Sequence, residues 1–264
     1  MKKQKTVSIK AKLLGVIIPV VIAIVVVLVV AAYQISAGTI KKYSQNLLQS
    51  SVENQASQIE AWLNENLASF QMAKTIIEDL KPSDEELKTI LDGYYGYNSN
   101  YPEGLYVADS TGQLITASES TKKESDVTNS TWYKEGLTRV NMAVGSAYQN
   151  ADGVNVISAS GILNDGSDKV RVISADMTLD RIAIIVNSFI EMNDAEAFLV
   201  DKTSGVILAN RDSSLISQTL GAEGQSHFYQ LTAEKAAEKD YNFATLDGNM
   251  TVFQEVDGTA DTGD

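Results

Sequence analysis

The chain has 264 residues, of which 34 are acidic and 21 are basic, and its formal net charge is −13. This acidic balance argues against nucleic acid and anionic lipid as partners, because both carry charge of the same sign. The sequence contains no cysteine, which excludes a disulfide framework, a cysteine nucleophile and thiolate metal sites.

An apolar segment at residues 13–33 predicts a transmembrane helix. Residues 13–32 carry no charge, and a helix of about 20 residues spans the roughly 30 Å hydrocarbon core of a bilayer. Lysines are the only charged residues in the basic N-terminus, residues 1–12. The positive-inside rule therefore places this end in the cytoplasm and the rest of the chain outside. A cleaved signal peptide is the alternative, although its apolar region is normally only about 7–15 residues long.

One or two helices are predicted to continue out of the membrane segment as a long helical region and to end before Pro82. Between residues 37 and 80 there is no proline, and Gly38 is the only glycine. Both a helix pair in a homodimer and packing on the chain's own domain explain the apolar stripe of this region. The stripe recurs in steps of three or four residues, the helical period, at Leu48, Val52, Ala56, Ile59, Leu63, Leu67 and Phe70.

A short second helix is predicted after Pro82. Ser83 and Glu86 have the spacing of a capping box, in which each residue satisfies a backbone donor near the other. Gly93 is the predicted end of this helix, since glycine is the residue most often found just past a helix end.

From residue 103 the pattern changes to strands and turns. "GLYVADSTGQLITAS" predicts two strands joined at Asp109 and Gly112. "ADG" at residues 151–153 and "NDG" at residues 164–166 predict two further hairpin turns between β-branched runs. A helix that begins at Thr178 or Asp180 is predicted next, from its apolar spacing.

A second copy of this pattern begins at Ala195, about 92–96 residues after the first, and tandem repetition on this scale predicts two similar modules. Its turn residues Asp201 and Gly205 correspond to Asp109 and Gly112, and Phe228-Tyr229 corresponds to Trp132-Tyr133. The predicted fold class is α+β, with antiparallel sheets covered by helices. The second copy lacks a last strand and a returning membrane helix, so we expect the chain to be a fragment of a longer protein.

The membrane helix, the long helix and four further segments, in their order and spacing, resemble the double Cache (dCache) sensor region of bacterial methyl-accepting chemotaxis proteins and related receptors. The segments are "LYVADSTGQLI", "TWYKEGL", "VISASGIL" and "VISADMTLDRI". The resemblance covers the chain from the membrane helix to the end. It implies two PAS-like modules outside the cell membrane: a membrane-distal, ligand-binding module with the long helix (34–190) and an incomplete membrane-proximal module (191–264). Sensor regions of histidine kinases and diguanylate cyclases are the alternative.

The resemblance also implies candidate ligand-binding residues. In amino-acid-binding members, an Arg two residues before a Trp-Tyr pair takes the ligand carboxylate, and acids in the hairpin and the last strand take its ammonium. Here Ser130 stands at the Arg position, which removes the bidentate carboxylate contact. The aromatic faces and the last acid still suit an ammonium or a nitrogen heterocycle, so the expected ligand is an amino acid, an amine or a related small molecule. The implied site residues are Trp132, Tyr133, Asn150 and Asp176.

The aromatic pair has a second interpretation, because Phe228-Tyr229 repeats it in the second module. A shared pair is also what a packing requirement of the fold would produce, with both rings buried in the core. A third possibility is that one ring packs and the other meets the ligand.

The sequence predicts neither an enzyme nor a cofactor site. His227 is the only histidine, and without cysteine it forms no zinc-binding pattern. The acids Asp257, Asp261 and Asp264 lack the spacing of a calcium loop. Three partners are expected: a small-molecule ligand, the membrane and a second copy of the chain. A membrane-anchored extracellular enzyme and a structural or adhesion protein are the alternatives from other classes.

Overall fold

A computed structural model describes residues 9–188, 195–239, 241 and 243–256. The chain divides into two compact units, residues 1–50 and residues 51–264. Several predictions lie outside the described residues: the lysines before residue 9, the module boundary at 190/191 and the acids after residue 256.

The first unit contains the start of helix α1 (Ile9–Leu80). The large apolar side chains between Leu13 and Val30 are exposed, and the most apolar 18-residue window of the helix has a mean hydropathy of 3.5. Among the described residues, α1 is the one helix long and apolar enough to cross a membrane, judged by length and composition. Pro19 lies inside it, as membrane helices tolerate.

In the second unit, α1 continues without interruption to Leu80, so one helix covers what the sequence predicted as one or two. The apolar stripe between Ile59 and Ile77 is buried in the core of the chain's own domain, as one of the two explanations of the stripe requires. Helix α2 (Asp84–Asp92) follows. Its predicted capping box is present, with Ser83 N donating to Glu86 Oε2 at 2.9 Å and Glu86 N donating to Ser83 Oγ at 3.4 Å.

A five-stranded antiparallel sheet forms the centre of the first module, in the order β2-β1-β5-β4-β3. The predicted hairpin turns connect β1 to β2, β3 to β4 and β4 to β5. A β-bulge interrupts β3 between Val144 and Ala147. The strands are β1 (Leu105–Asp109), β2 (Leu114–Ile115), β3 (Ala143–Gln149), β4 (Asn155–Leu163) and β5 (Arg171–Thr178).

The two faces of this sheet are buried against different elements, because successive side chains of a strand point to opposite faces. Leu105 and Val107 of β1 belong to the large core that includes α1 and α2. Tyr106 and Ala108 of the same strand face a smaller cluster, which includes side chains of helix α3 (Thr131–Gly136). We call this second side the α3 face.

The second module repeats the start of the first. Asp109 Oδ1 accepts from Thr111 N at 2.8 Å, and Asp201 Oδ1 accepts from Thr203 N at 3.0 Å, so both turns begin with the same side-chain bond. The elements that follow β5 are α4 (Asp180–Ser188), β6 (Phe198–Val200), β7 (Ile207–Asn210), α5 (His227–Ala237), β8 (Ala244–Leu246) and β9 (Asn249–Thr251). The strand pairs β6-β7 and β8-β9 are antiparallel, and the α+β prediction is confirmed.

Candidate ligand site

Asp176 lies at the centre of a polar cluster on the α3 face. It belongs to β5, pairs with Ser158 of β4, and is 7% exposed. Its Oδ1 accepts from Ser158 Oγ at 2.6 Å, from Tyr148 Oη at 2.9 Å and from Tyr106 Oη. Three strands, β1, β3 and β4, therefore each supply one hydroxyl donor to a single carboxylate oxygen on β5.

The other oxygen of Asp176 contacts a lysine. Lys122 Nζ lies 2.6 Å from Asp176 Oδ2, and the two side chains are 6% and 8% exposed. The same Nζ lies 4.1 Å from the centroid of the Tyr106 ring, within the range of a cation–π contact. A buried carboxylate is costly without a partner, so this pair with its added hydroxyl donors accounts for an ionised group in the sheet.

The electrostatics of the cluster keep both tyrosines protonated. Burial, and next the charge of Asp176, raise the pKa of Tyr106 well above its ordinary value. The same two causes raise the pKa of Tyr148. Both hydroxyls consequently stay protonated at neutral pH and can donate hydrogen bonds to Asp176.

The Trp-Tyr pair reaches Asp176 through Tyr106. The Trp132 ring packs edge-on against Tyr106 with centroids 4.8 Å apart, and Tyr133 packs against Trp132 at 5.8 Å. Both residues of the pair are buried. The indole Nε1 of Trp132 has no hydrogen-bond partner among the described residues. A buried donor without a partner is uncommon in native proteins and calls for an acceptor.

Helix α3 holds this aromatic pair close to the sheet. Gly136 ends α3, and a Cβ built there would lie 2.3 Å from Val172 Cγ1. Glu135 Oε1 accepts from Ser146 N at 3.1 Å, which attaches α3 to the bulge of β3. Gly136 lets α3 approach the sheet closely, and Glu135 bonds α3 to the β3 bulge. Together these two contacts fix the position of Trp132.

Asn150 lies in the turn between β3 and β4. Its Oδ1 accepts from Asp152 N at 3.0 Å and from Val154 N at 2.9 Å, so its side chain shapes the hairpin. Tyr148, two residues earlier, and Ser158 on β4 are the hairpin residues whose hydroxyls touch Asp176. Ser130 is the N-cap residue of α3, and its Oγ donates to Val127 O at 2.6 Å.

The structure thus joins Trp132, Tyr133 and Asp176 in one cluster and adds residues that sequence reasoning missed: Tyr106, Lys122, Tyr148 and Ser158. Tyr106, Tyr148 and Ser158 sit in predicted strands, and alternation back from the two hairpin turns at 151–153 and 164–166 puts Tyr148, Ser158 and Asp176 on one face. No turn marks the pairing of β1 with β5, so the position of Tyr106 could not be obtained in this way. Lys122 lies in an irregular segment in which no periodic pattern points to it.

The second module repeats the aromatic part of this arrangement. Phe198, Phe228 and Tyr229 stand where Tyr106, Trp132 and Tyr133 stand in the first module. Phe198 lies 6.5 Å from Phe228 and 5.3 Å from Tyr229, measured between ring centroids. The three-ring arrangement therefore recurs in both modules, but Phe228 and Tyr229 are only partly buried, and the second interpretation of the pair stays a prediction. Of these two equivalent rings, only Tyr106 carries a hydroxyl, and that hydroxyl contacts Asp176.

No group of three or more potential metal ligands occurs among the described residues. What the cluster around Asp176 can do chemically is hold a cation: it offers a carboxylate oxygen and the face of an aromatic ring to the same ammonium.

Residues 32–259 match a family model described as a Cache domain. Three solved ligand-binding domains of chemoreceptors share the fold. CtaA of Pseudomonas fluorescens, in complex with L-isoleucine, is 20% identical with a TM-score of 0.60 over 81% of this chain and 85% of that chain. PctC of Pseudomonas aeruginosa, in complex with GABA, is 23% identical with a TM-score of 0.57 over 67% and 81%. PctB of the same organism, in complex with L-Gln, is 19% identical with a TM-score of 0.57 over 77% and 80%. No curated protein sequence matches the chain significantly.

Proposed function

The chain belongs to the Cache domain family, and on that premise we propose that it is the extracytoplasmic sensor region of a membrane chemoreceptor. Its first module binds a small molecule, and binding displaces helices by about 1–2 Å, the scale usual for helix shifts in switching proteins. As a sensor, this region binds its ligand without transforming it. The sensor region of a histidine kinase or of a diguanylate cyclase is the alternative to that of a chemoreceptor.

The observation that carries this proposal is the polar cluster at Asp176. A buried acid with donors from three strands and an aromatic wall is a convergence of polar groups typical of ligand sites. A carboxylate beside an aromatic face suits an amino acid, an amine or a related ligand. The solved relatives with the same fold bind L-isoleucine, GABA and L-Gln, which supports this ligand class.

Membrane attachment forms the second part of the proposal. The apolar segment at 13–33 crosses the membrane once, with the modules outside, and a second copy of the chain pairs with it. The exposed apolar side chains from Leu13 to Val30 support the crossing, because such a continuous apolar surface is stable only in lipid or under another protein.

A thermal-shift screen of the full chain in detergent tests the ligand-binding proposal. The screen contains L-amino acids, amines, purines and organic acids. A ligand at about 100 times its Kd stabilises the protein by about 2.7 kcal/mol. Absence of any shift would favour the structural or adhesion alternative.

The variant Asp176→Asn then identifies the site by isothermal titration calorimetry with the compound found in the screen. We expect binding at least about tenfold weaker, since a charged hydrogen bond contributes roughly 1.5–3 kcal/mol. Asp168→Asn is the matched control, because this exposed acid of the β4–β5 loop undergoes the same charge change away from the cluster. Equal loss of affinity in both variants would place the ligand elsewhere.

A further inference from the structure

Lys122 makes both contacts that the proposed function assigns to a ligand's ammonium group. Its Nζ lies 2.6 Å from Asp176 Oδ2 and 4.1 Å from the centroid of the Tyr106 ring. The three hydroxyls of the cluster bond to Oδ1. In the described part of the chain, Oδ2 is therefore held by Lys122 alone, and a ligand ammonium directed at Oδ2 meets the lysine there.

The backbone that leads into Lys122 is held by side chains at three positions, Ser118, Ser120 and Thr121. Ser118 Oγ donates to Asp92 Oδ2 at 3.0 Å. Ser120 Oγ donates to Glu103 Oε2 at 2.5 Å, and Thr121 N donates to the same oxygen at 3.2 Å. These anchors hold the base of the lysine beside the cluster, so its ammonium is delivered to Asp176 by a short tether.

We propose that Lys122 is a tethered competitor for the ammonium position on Asp176, and that an ammonium ligand binds this site only by displacing it. This inference rests on the proposed function and adds a regulation of the same site. The displaced ammonium leaves Asp176 Oδ2 and the Tyr106 ring and turns toward solvent on its four-carbon stem. The ligand's ammonium then takes both contacts.

The tether sets the concentration at which the sensor responds. A group on a short linker competes at an effective concentration in the millimolar range, so a free amine without further contacts does not displace it at micromolar concentrations. If Lys122 is off Asp176 for about 1% of the time, the apparent Kd of an ammonium ligand is about 100-fold weaker than its intrinsic value. Ligands that also bond elsewhere in the module overcome this competition, which makes Lys122 a filter against simple amines.

Lys122→Ala with n-butylammonium as the probe tests the inference. This probe reproduces the four carbons and the ammonium of the lysine side chain, of which the substitution removes the ammonium and three carbons. In the full chain we expect butylammonium to bind Lys122→Ala at least tenfold more tightly than the parent by calorimetry and to raise its Tm. Lys123→Ala is the control, since the exposed neighbour undergoes the same charge change, and it should behave as the parent does. Adding Asp176→Asn to Lys122→Ala should abolish binding of the probe.

The inference is overturned if folded Lys122→Ala binds butylammonium no better than the parent protein. It is also overturned if ligands from the thermal-shift screen bind Lys122→Ala more weakly than the parent, because Lys122 would then be a ligand contact. Should Lys122→Ala fail to fold alone, refolding is measured with butylammonium and with potassium chloride at equal ionic strength. Recovery in the amine alone supports the inference, and recovery in neither overturns it. Each negative outcome leaves the screen of the parent protein, and hence the proposed function, separately tested.

Discussion

Tyr106 and Phe198 occupy equivalent positions in the two modules and differ by one hydroxyl group. Each ring packs against the aromatic pair at the start of the following helix of its module. The hydroxyl of Tyr106 donates to the buried carboxylate of Asp176, whereas the ring of Phe198 serves packing alone. The aromatic ring is therefore common to both modules, whereas the hydroxyl group is present only at Tyr106 of the first module.

Tyr106→Phe should therefore keep the packing and weaken the polar cluster. Removing a hydrogen bond to a charged acceptor costs roughly 1.5–3 kcal/mol, so we expect the free energy of unfolding to fall by about 2 kcal/mol. Urea denaturation measures it. Tyr229→Phe is the matched control in the second module, where the lost partner is the neutral Nδ2 of Asn210 at 3.1 Å. Its cost should be near 1 kcal/mol, and a larger loss there than at Tyr106 would contradict this account.

Asp109 should make the protein sensitive to acid. Burial alone would raise the pKa of Asp109, but the bond from Lys169 at 2.5 Å and those from Thr111 and Gln113 outweigh it and lower the pKa to about 2. A pKa that is lower in the folded state stabilises the protein above the unfolded value near 3.9, and this stabilisation is lost as pH falls through the folded value. The shift of nearly two units corresponds to about 2 kcal/mol.

Unfolding free energies of the parent and of Asp109→Asn between pH 6 and pH 2 measure this contribution. The variant should be less stable by about 2 kcal/mol at pH 6, and the difference should shrink between about pH 4 and pH 2. Asp168→Asn, at an exposed position, should preserve the pH dependence of the parent. A constant difference between Asp109→Asn and the parent would show that Asp109 stabilises by geometry rather than by charge.

Replacing Arg171 should destabilise the protein far more than replacing Asp84, one of its two acidic partners. Its guanidinium lies 2.8 Å from buried Asp165 and 2.5 Å from Asp84, whose side chain is 48% exposed. Arg171→Met leaves Asp165 buried without its cation and should cost about 3–5 kcal/mol. Asp84→Ala removes a solvent-exposed partner and should cost less than about 1 kcal/mol. Chemical denaturation of both variants gives the comparison, and similar costs would refute the assignment.

Gly136→Ala should force α3 away from the sheet, because the added Cβ would lie 2.3 Å from Val172 Cγ1. Overpacking of this kind costs about 1–3 kcal/mol. Val172→Ala removes the clashing methyl group, so the double variant should be less destabilised than the sum of the two single variants. Strict additivity in a urea-denaturation cycle would show that the contact relaxes freely.

The hairpins and the start of α2 could be predicted from the sequence because each is marked by residues close together in the chain. Asp109 with Gly112, and the "NDG" at 164–166, marked turns between apolar runs, and the strands lie where those turns put them. Ser83 and Glu86 marked the start of α2 in the same way. These signals depend on residues within four positions of each other, which is the range over which backbone preferences act.

The polar cluster could be predicted only in part from the sequence, because it depends on contacts between residues far apart in the chain. Asp176 was identified through a family resemblance, whereas Lys122, 54 positions earlier, was not. Nothing in the irregular segment around Lys122 distinguishes it from Lys123, and only the anchoring of that segment by Asp92 and Glu103 directs its ammonium inward. Long-range placement of this kind is set by tertiary packing, which periodicity does not encode.

The two sides of the first sheet have apolar cores of different size, and this difference affects how the ligand preference of such sensors can change in evolution. The side against α1 and α2 carries the large apolar core, so the larger share of the apolar burial that stabilises the module lies there. The α3 face carries a smaller apolar cluster beside the polar contacts of Asp176. Most random substitutions destabilise, and a protein tolerates them only while its stability reserve lasts. A sheet that keeps its reserve on one side can exchange Lys122, Tyr148 or Ser130 on the other and remain folded, so new chemical preferences can arise one residue at a time on an unchanged scaffold.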